Sequence, residues 1–408
     1  MSKNRKIYIL FILILVTTFS DYSIRASDTN NTESITTTED QHLKTRSETE
    51  GQILDEAMSL FDWEAIHSLE NKLKNEVPEG IEFDIKQTVT DIMSGKLKLS
   101  VEQVIFMIGK LLFGEIGAFL NIGARFFLIV LLCNLLETLS SSFKSKDTLK
   151  VGFLVCYITI ILSVIQSFVV LIEIATSAID HLSSIMYICI PMLLAFMGTT
   201  GYAVSAAAMA PVIISGLSII TYFTKVFILP LIIWLIILEL VSSMSETFKV
   251  DQFIKLFYKF VTWTLGTISV LSLGILGIYR LTLPLADVTV KKAALKFSTA
   301  FIPIVGSVAS GTAEFLMGCS ELIKNAFSAG VIVWLLIIVS IPLIKILAYV
   351  LVYQIAGAII QPLGDKKMAT VAQKLGKGCQ FIMSVVGIIA LLCVCSLAIC
   401  MSVGFGVT

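Results

Sequence analysis

Between residues 122 and 403 the chain repeatedly runs for a bilayer's worth of helix with hardly a charge. The stretches 122–139, 151–174, 223–242, 261–278, 330–352 and 379–403 are each 18 to 25 residues long. About 20 apolar residues in a helix cross a hydrocarbon core of about 30 Å. No water-soluble fold can bury so many such runs. Composition agrees: 56% of residues are hydrophobic and only 15% charged, against roughly 25% charged in soluble domains. A soluble enzyme and a disordered chain are both excluded. An all-α, polytopic membrane bundle remains.

The net charge of zero is unevenly spread. Residues 1–26 hold 4 Lys/Arg and 1 acid, residues 27–103 hold 7 and 17, and residues 104–408 hold 19 and 12. The first segment reads as a secretory signal peptide over residues 1–26. It has a basic start at 2–6, a 13-residue apolar core at 7–19, and a polar end with Ile24-Arg25-Ala26 at the cleavage position. An uncleaved signal anchor is the alternative, because Ile24 is not small. Either form sends residue 27 onward across the membrane.

Residues 27–100 form an acidic exported segment. Its first part, 27–50, is rich in Ser, Thr, Asn and acids, and such a composition cannot offset the entropy of ordering. Apolar residues at 53–73 and 83–93 recur at helical spacing, with a break at Pro78-Glu79-Gly80. The segment has no cysteine, so no disulfide staples it. It is small enough to need a partner or the membrane surface.

Residues 101–408 are the membrane domain, read as about seven spans with one or two re-entrant segments. Residues 101–120 are amphipathic and suit the interface. Lys144, Lys146 and Lys150 place the 140–150 link in the cytoplasm, as the lysines of 361–377 do for that stretch. Glu173, Asp180 and His181 suit an outer link. Residues 279–298 read as a charged connector.

The stretch 184–222 differs. It is apolar but interrupted by Pro191, Gly198, Gly201, Pro211 and Gly216, and its middle, TTGYAVSAAA at 199–208, is small and mildly polar. Broken backbone cannot face lipid, so it must be buried in protein or line a wet cavity. A parallel internal repeat is suggested. A shift of 112 residues places Pro191 on Pro303 and Pro230 on Pro342 without a gap. The repeats would be 184–280 and 299–403. Interrupted helices duplicated in this way often build a passage. Glu239 and Lys345, on the Pro-containing spans, are the charges most in need of a protein or water environment. They read as a clamp or part of a polar lining.

No HExxH, GxxxxGK[ST] or GxSxG is present, and the eight cysteines lack CxxC spacing. They read as small hydrophobes in helices. No catalytic group, metal site or cofactor is expected, and no basic aromatic patch points to nucleic acid.

Four stretches together resemble the stage III sporulation protein AE family of endospore-forming bacteria. They are CIPMLLAFMGTTGYAVSAAAMAPVII at 189–214, MSETFKV at 244–250, LTLPLADVTVKKAALKFSTAFIPIVG at 281–306 and IIQPLG at 359–364. Pro191, Gly201, Ser205, Pro211, Lys249, Pro303, Gly306, Pro362 and Gly364 are positions in those motifs. The resemblance implies a component of the multi-protein channel that joins mother cell and forespore, required for late forespore development. It implies a place in the mother-cell membrane around the forespore, with a partner ATPase and ring-forming proteins. An autonomous secondary transporter for a small solute is the rival reading. It would need coupling charges near the midplane.

Overall fold

The computed structural model describes residues 63–74, 85–93, 146–244, 250–301, 306–363 and 366–403, with a few positions between 109 and 135. These residues belong to one compact unit that begins at residue 61. The signal peptide, the 27–50 stretch, the 101–120 and 122–139 readings, Lys249, Pro303 and Gly364 fall wholly or largely outside the described residues.

The described elements are helices. Two short ones, α1 (Trp63–Lys74) and α2 (Ile85–Met93), precede α3 (Lys146–Thr199) and α4 (Ala203–Phe223). A π-turn, Thr224–Ile228, joins α4 to α5 (Leu229–Met244). Then come α6 (Asp251–Phe301), α7 (Gly306–Ile360), a 3-10 turn Gln361–Leu363, and α8 (Lys366–Ser402). Among the described residues five segments are long and apolar enough to cross a membrane: Ile158–Thr199, Ala203–Ser242, Gln252–Thr289, Ser320–Ile360 and Met368–Ser402. The described residues are all-helical, and the protein is a multi-pass membrane protein.

Among the described residues these helices are longer than hydropathy suggests. The supposed link at Glu173–His181 lies inside α3, which runs unbroken for 54 residues, about 81 Å at 1.5 Å per residue. The supposed connector at 279–298 is helical as part of α6, and the polar stretch up to Lys377 is mostly part of α8. The reason is physical. A charge sets the depth at which a helix sits but does not break it. Residues 153–190 contain neither Gly nor Pro, so nothing in them turns the chain.

The real reversal comes at Thr200–Tyr202. There Gly201 takes φ 81°, a left-handed conformation that Gly adopts without a Cβ penalty. Beyond it α4 returns antiparallel to α3. The Tyr187 hydroxyl meets the Ser218 hydroxyl at 2.7 Å, and Lys225 Nζ meets Asp180 Oδ1 at 2.5 Å. That ion pair lies roughly 33 Å along the hairpin from its tip, about one hydrocarbon thickness. Lys225 sits in the π-turn. Pro230 follows, has no N–H, and would crowd the carbonyl four residues back. The wider turn absorbs it, and the Leu229 N–H donates to Thr224 O.

The core lies where α7 and α8 pack antiparallel against α3. Glycines bring these helices close. A Cβ on Gly357 would stand 3.2 Å from Ala369 O and 3.3 Å from Ala372 Cβ, and one on Gly378 would stand 2.8 Å from Ile236 Cδ1. Phe168 of α3 stacks on Tyr353 of α7 at 6.1 Å. The outer faces are apolar. Trp234, Trp263, Val270 and Leu281 are all more than 60% exposed, as a lipid-facing surface requires.

The small helices are seated on this bundle. Glu70 of α1 accepts the Ile85 N–H at the start of α2 at 2.9 Å, and Lys86 lies 5.6 Å over the Trp63 ring. Val89 of α2 is fully buried against Gly330 of α7.

Gly357→Leu should lower stability by about 1–3 kcal/mol through overpacking. Gly274→Leu, on an open face where a Cβ meets nothing within 4 Å, should not lower it. Unfolding midpoints in detergent compare the two. Equal losses would show that α7 and α8 do not meet at Gly357.

Candidate functional site

The first four N–H groups and last four carbonyls of any helix lack partners within it. In a membrane bundle water cannot always supply them. The turn at Gly201 creates such an end at the start of α4, and its partner comes from another helix. Asp287 of α6 is 2% exposed. Its Oδ1 accepts the Val204 N–H at 2.9 Å and its Oδ2 accepts the Ser205 N–H at 3.1 Å. The Ser205 hydroxyl also donates to Oδ2. A carboxylate there also meets the positive end of the α4 dipole. Charge, hydrogen bonding and dipole thus all favour the same geometry.

Tyr202, beside this cap, is buried. Burial, and then the negative charges of Glu321 and Asp287, hold its hydroxyl above its ordinary range. The start of α4 and the Asp287 region of α6 therefore share one neighbourhood.

The end of α8 has the converse arrangement. Lys324 of α7 has no exposed surface, and its Nζ donates to Val403 O at 2.6 Å. A cation at the negative end of a helix is favourable. On the same helix Ser328, also fully buried, donates its hydroxyl to Lys324 O at 2.8 Å.

A third polar cluster surrounds Glu239 of α5. Tyr258 of α6 donates to Glu239 Oε2 at 2.9 Å, and Lys374 of α8 lies 3.5 Å from Oε1. Phe381 stacks on the Tyr258 ring at 4.8 Å. Three helices meet here through one carboxylate.

The residues singled out from sequence fall as follows. Gly201 and Ser205 stand together at the α3–α4 turn and carry its geometry. Glu239 finds Lys374 and Tyr258 as partners. Lys345 is half-buried on α7. Pro191, Pro211 and Pro342 lie inside continuous helices, the first two exposed, and Pro230 follows the π-turn. Gly306 opens α7, and Pro362 is exposed in the 3-10 turn. Sequence reasoning passed over Asp287, Glu321, Lys324 and Tyr258, and took Lys374 only as one of the lysines of the 361–377 stretch. A signal for two of them was present. In SELIKNAFS at 320–328, Glu321, Lys324, Asn325 and Ser328 repeat at i, i+3, i+4 and i+7, a polar stripe on one helix face. Among the described residues no group of three or more His, Cys, Asp or Glu is placed to hold a metal ion.

Comparison with known proteins points one way. The family model described as stage III sporulation protein AE matches residues 83–404, which takes in α2 and every helix after it. The chain is also 26% identical over 364 residues to the stage III sporulation protein AE of Bacillus subtilis (strain 168), covering 89% of this chain and 91% of that one. No solved structure matches.

Two substitutions test the turn. Asp287→Ala leaves the buried Ser205 N–H and the partly buried Val204 N–H without their acceptor and should cost about 1–3 kcal/mol. Gly201→Ala puts a Cβ into the left-handed region and should cost about 1–2 kcal/mol. Unfolding midpoints and membrane protein levels report both. An Asp287→Ala protein as stable as the parent would refute the cap.

Proposed function

The chain belongs to the stage III sporulation protein AE family, and on that premise we propose that it is a membrane subunit of the channel linking mother cell and forespore. In this reading it sits in the mother-cell membrane that surrounds the forespore. The acidic segment at 27–100, exported behind the signal peptide, meets partners between the two membranes. Those partners are ring-forming proteins, with an ATPase on the cytoplasmic side. Late forespore development depends on the assembly.

The observation that carries this reading is a multi-pass bundle whose chain breaks and charges are spent on holding helices together. Asp287 and Lys324 cap helix ends, and Glu239 ties three helices. Such a body suits a platform or gate, and the energy would come from a partner. The paired prolines, Pro191 with Pro303 and Pro230 with Pro342, support a duplicated bundle. Helices that meet through small residues can enclose a passage.

The test is genetic and biochemical. Deleting the gene should block spore maturation after engulfment, and the tagged protein from sporulating cells should bring down an ATPase and ring-forming proteins. Reconstituted alone in vesicles, it should move no small solute against a gradient. Accumulation by the isolated protein would favour an autonomous transporter. Normal spores from the deletion strain would reject the sporulation role.

A further inference from the structure

The apolar segments of α3 and α6 are taller than a bilayer. They run for 42 and 38 residues, about 63 and 57 Å at 1.5 Å per residue, against a hydrocarbon core of about 30 Å. Even a tilt of about 40° leaves each above about 40 Å. The Asp180–Lys225 ion pair marks where the hydrocarbon ends. It lies open on the side of the α3–α4 hairpin, about one hydrocarbon thickness below the Gly201 turn. Tyr222 and Trp263, both highly exposed, flank that level, where interfacial aromatics gather. Below it α3 and α6 each continue for at least about 20 Å. Their sides stay apolar there, with Leu162 and Val169 of α3 and Leu256 and Phe260 of α6 exposed. That lower surface has no hydrocarbon to cover it.

The two sides lie on opposite flanks of the bundle. Both α3 and α6 pack on α4, α5, α7 and α8, yet they share no substantial contact with each other. Each flank also carries charge of one sign. Glu173 of α3 and Lys255 and Lys259 of α6 are exposed, and none of them has an ion-pair partner among the described residues. Their heights agree. Glu173 stands about 39 Å below Thr199, and Lys259 about 42 Å below Asp287, at 1.5 Å per residue. Thr199 and Asp287 belong to one level, because Asp287 caps the helix that starts just beyond that turn. An acid on one flank thus matches a base on the other, each amid exposed apolar side chains. Complementary charge of this kind fixes register and partner choice.

We infer that the lower α3 flank of one copy of this chain docks on the lower α6 flank of the next copy, with Glu173 facing Lys259 across the contact. The occupant of the uncovered surface is the protein's own opposite side. It is apolar, equally tall and opposite in charge. Because the two flanks differ and point apart, the contact is head-to-tail, and such contacts repeat into a ring when the rotation closes. The contact needs no other protein. It should form in any host membrane, so its failure and the failure of the sporulation role are separate results.

Photocrosslinking of the full chain in membranes tests it. Phe260, exposed beside Lys259, is replaced by the photoreactive benzoylphenylalanine, which keeps the aromatic ring. Irradiation should give adducts at twice the mass of the chain and at higher multiples, with the linked peptide within residues 155–173 of a second copy. Glu173→Lys and Lys259→Glu each set like charges against each other and should lower the adduct at least about fivefold. The double reversal should restore it. No adduct, adducts to lipid or to another protein alone, or a link to a second copy outside α3 would overturn the inference, as would an adduct that ignores the charge reversals. Should a reversal variant fail to accumulate, the position of the crosslink in the unreversed chain decides.

Discussion

A polypeptide that turns inside a membrane bundle must bring its own partners for the backbone groups it frees. Everything distinctive about this protein follows from where it meets that demand. The α3–α4 reversal frees N–H groups at Val204 and Ser205, and Asp287 accepts them from 82 and 83 residues away in sequence. The end of α8 frees carbonyls, and Lys324 reaches one of them. Acid meets the positive end of one helix and base the negative end of another. Charges that would be expensive alone in hydrocarbon become the fastenings between helices.

The same logic explains the packing. Between helices in lipid there is little hydrophobic driving force, so close approach must come from small residues and polar ties. Gly357 and Gly376 let α7 and α8 touch, and Gly378 admits Ile236 and Phe168. Glu239 then joins α5, α6 and α8 through Tyr258 and Lys374. The α1–α2 pair, held by Glu70 and seated at Gly330, packs against the long helices.

Much of this was legible in the order of residues. Long uncharged runs announced helices and a membrane. Gly201 and Ser205 announced a break, because small residues and a Gly amid apolar neighbours have little other use there. Glu239 announced a need for partners by its place on an apolar span. The continuity of the helices was not legible. Glu173, Asp180 and His181 read as a link because charge is an index of depth, while only Gly, Pro or a cap turns a chain. Asp287 was hidden for a different reason. Its function is set by residues more than eighty positions away, and no local pattern records such a pairing. Lys324 was missed although it lies on the polar stripe of SELIKNAFS, because residues 299–328 are weakly hydrophobic and drew no span boundary.

The central claim is that a carboxylate on α6 and the start of α4 act as one unit. A double-mutant cycle measures this directly. Ser205→Ala, Asp287→Asn and the double variant are compared by unfolding free energy in detergent. Coupled neighbours in one hydrogen-bond network show interaction energies of about 0.5–3 kcal/mol, whereas distant sites add within about 0.3–0.5 kcal/mol. The account predicts a coupling in the first range, with the double variant less destabilised than the sum of the single changes. Strict additivity would show that the Ser205 hydroxyl and the Asp287 carboxylate do not act together, contradicting the account.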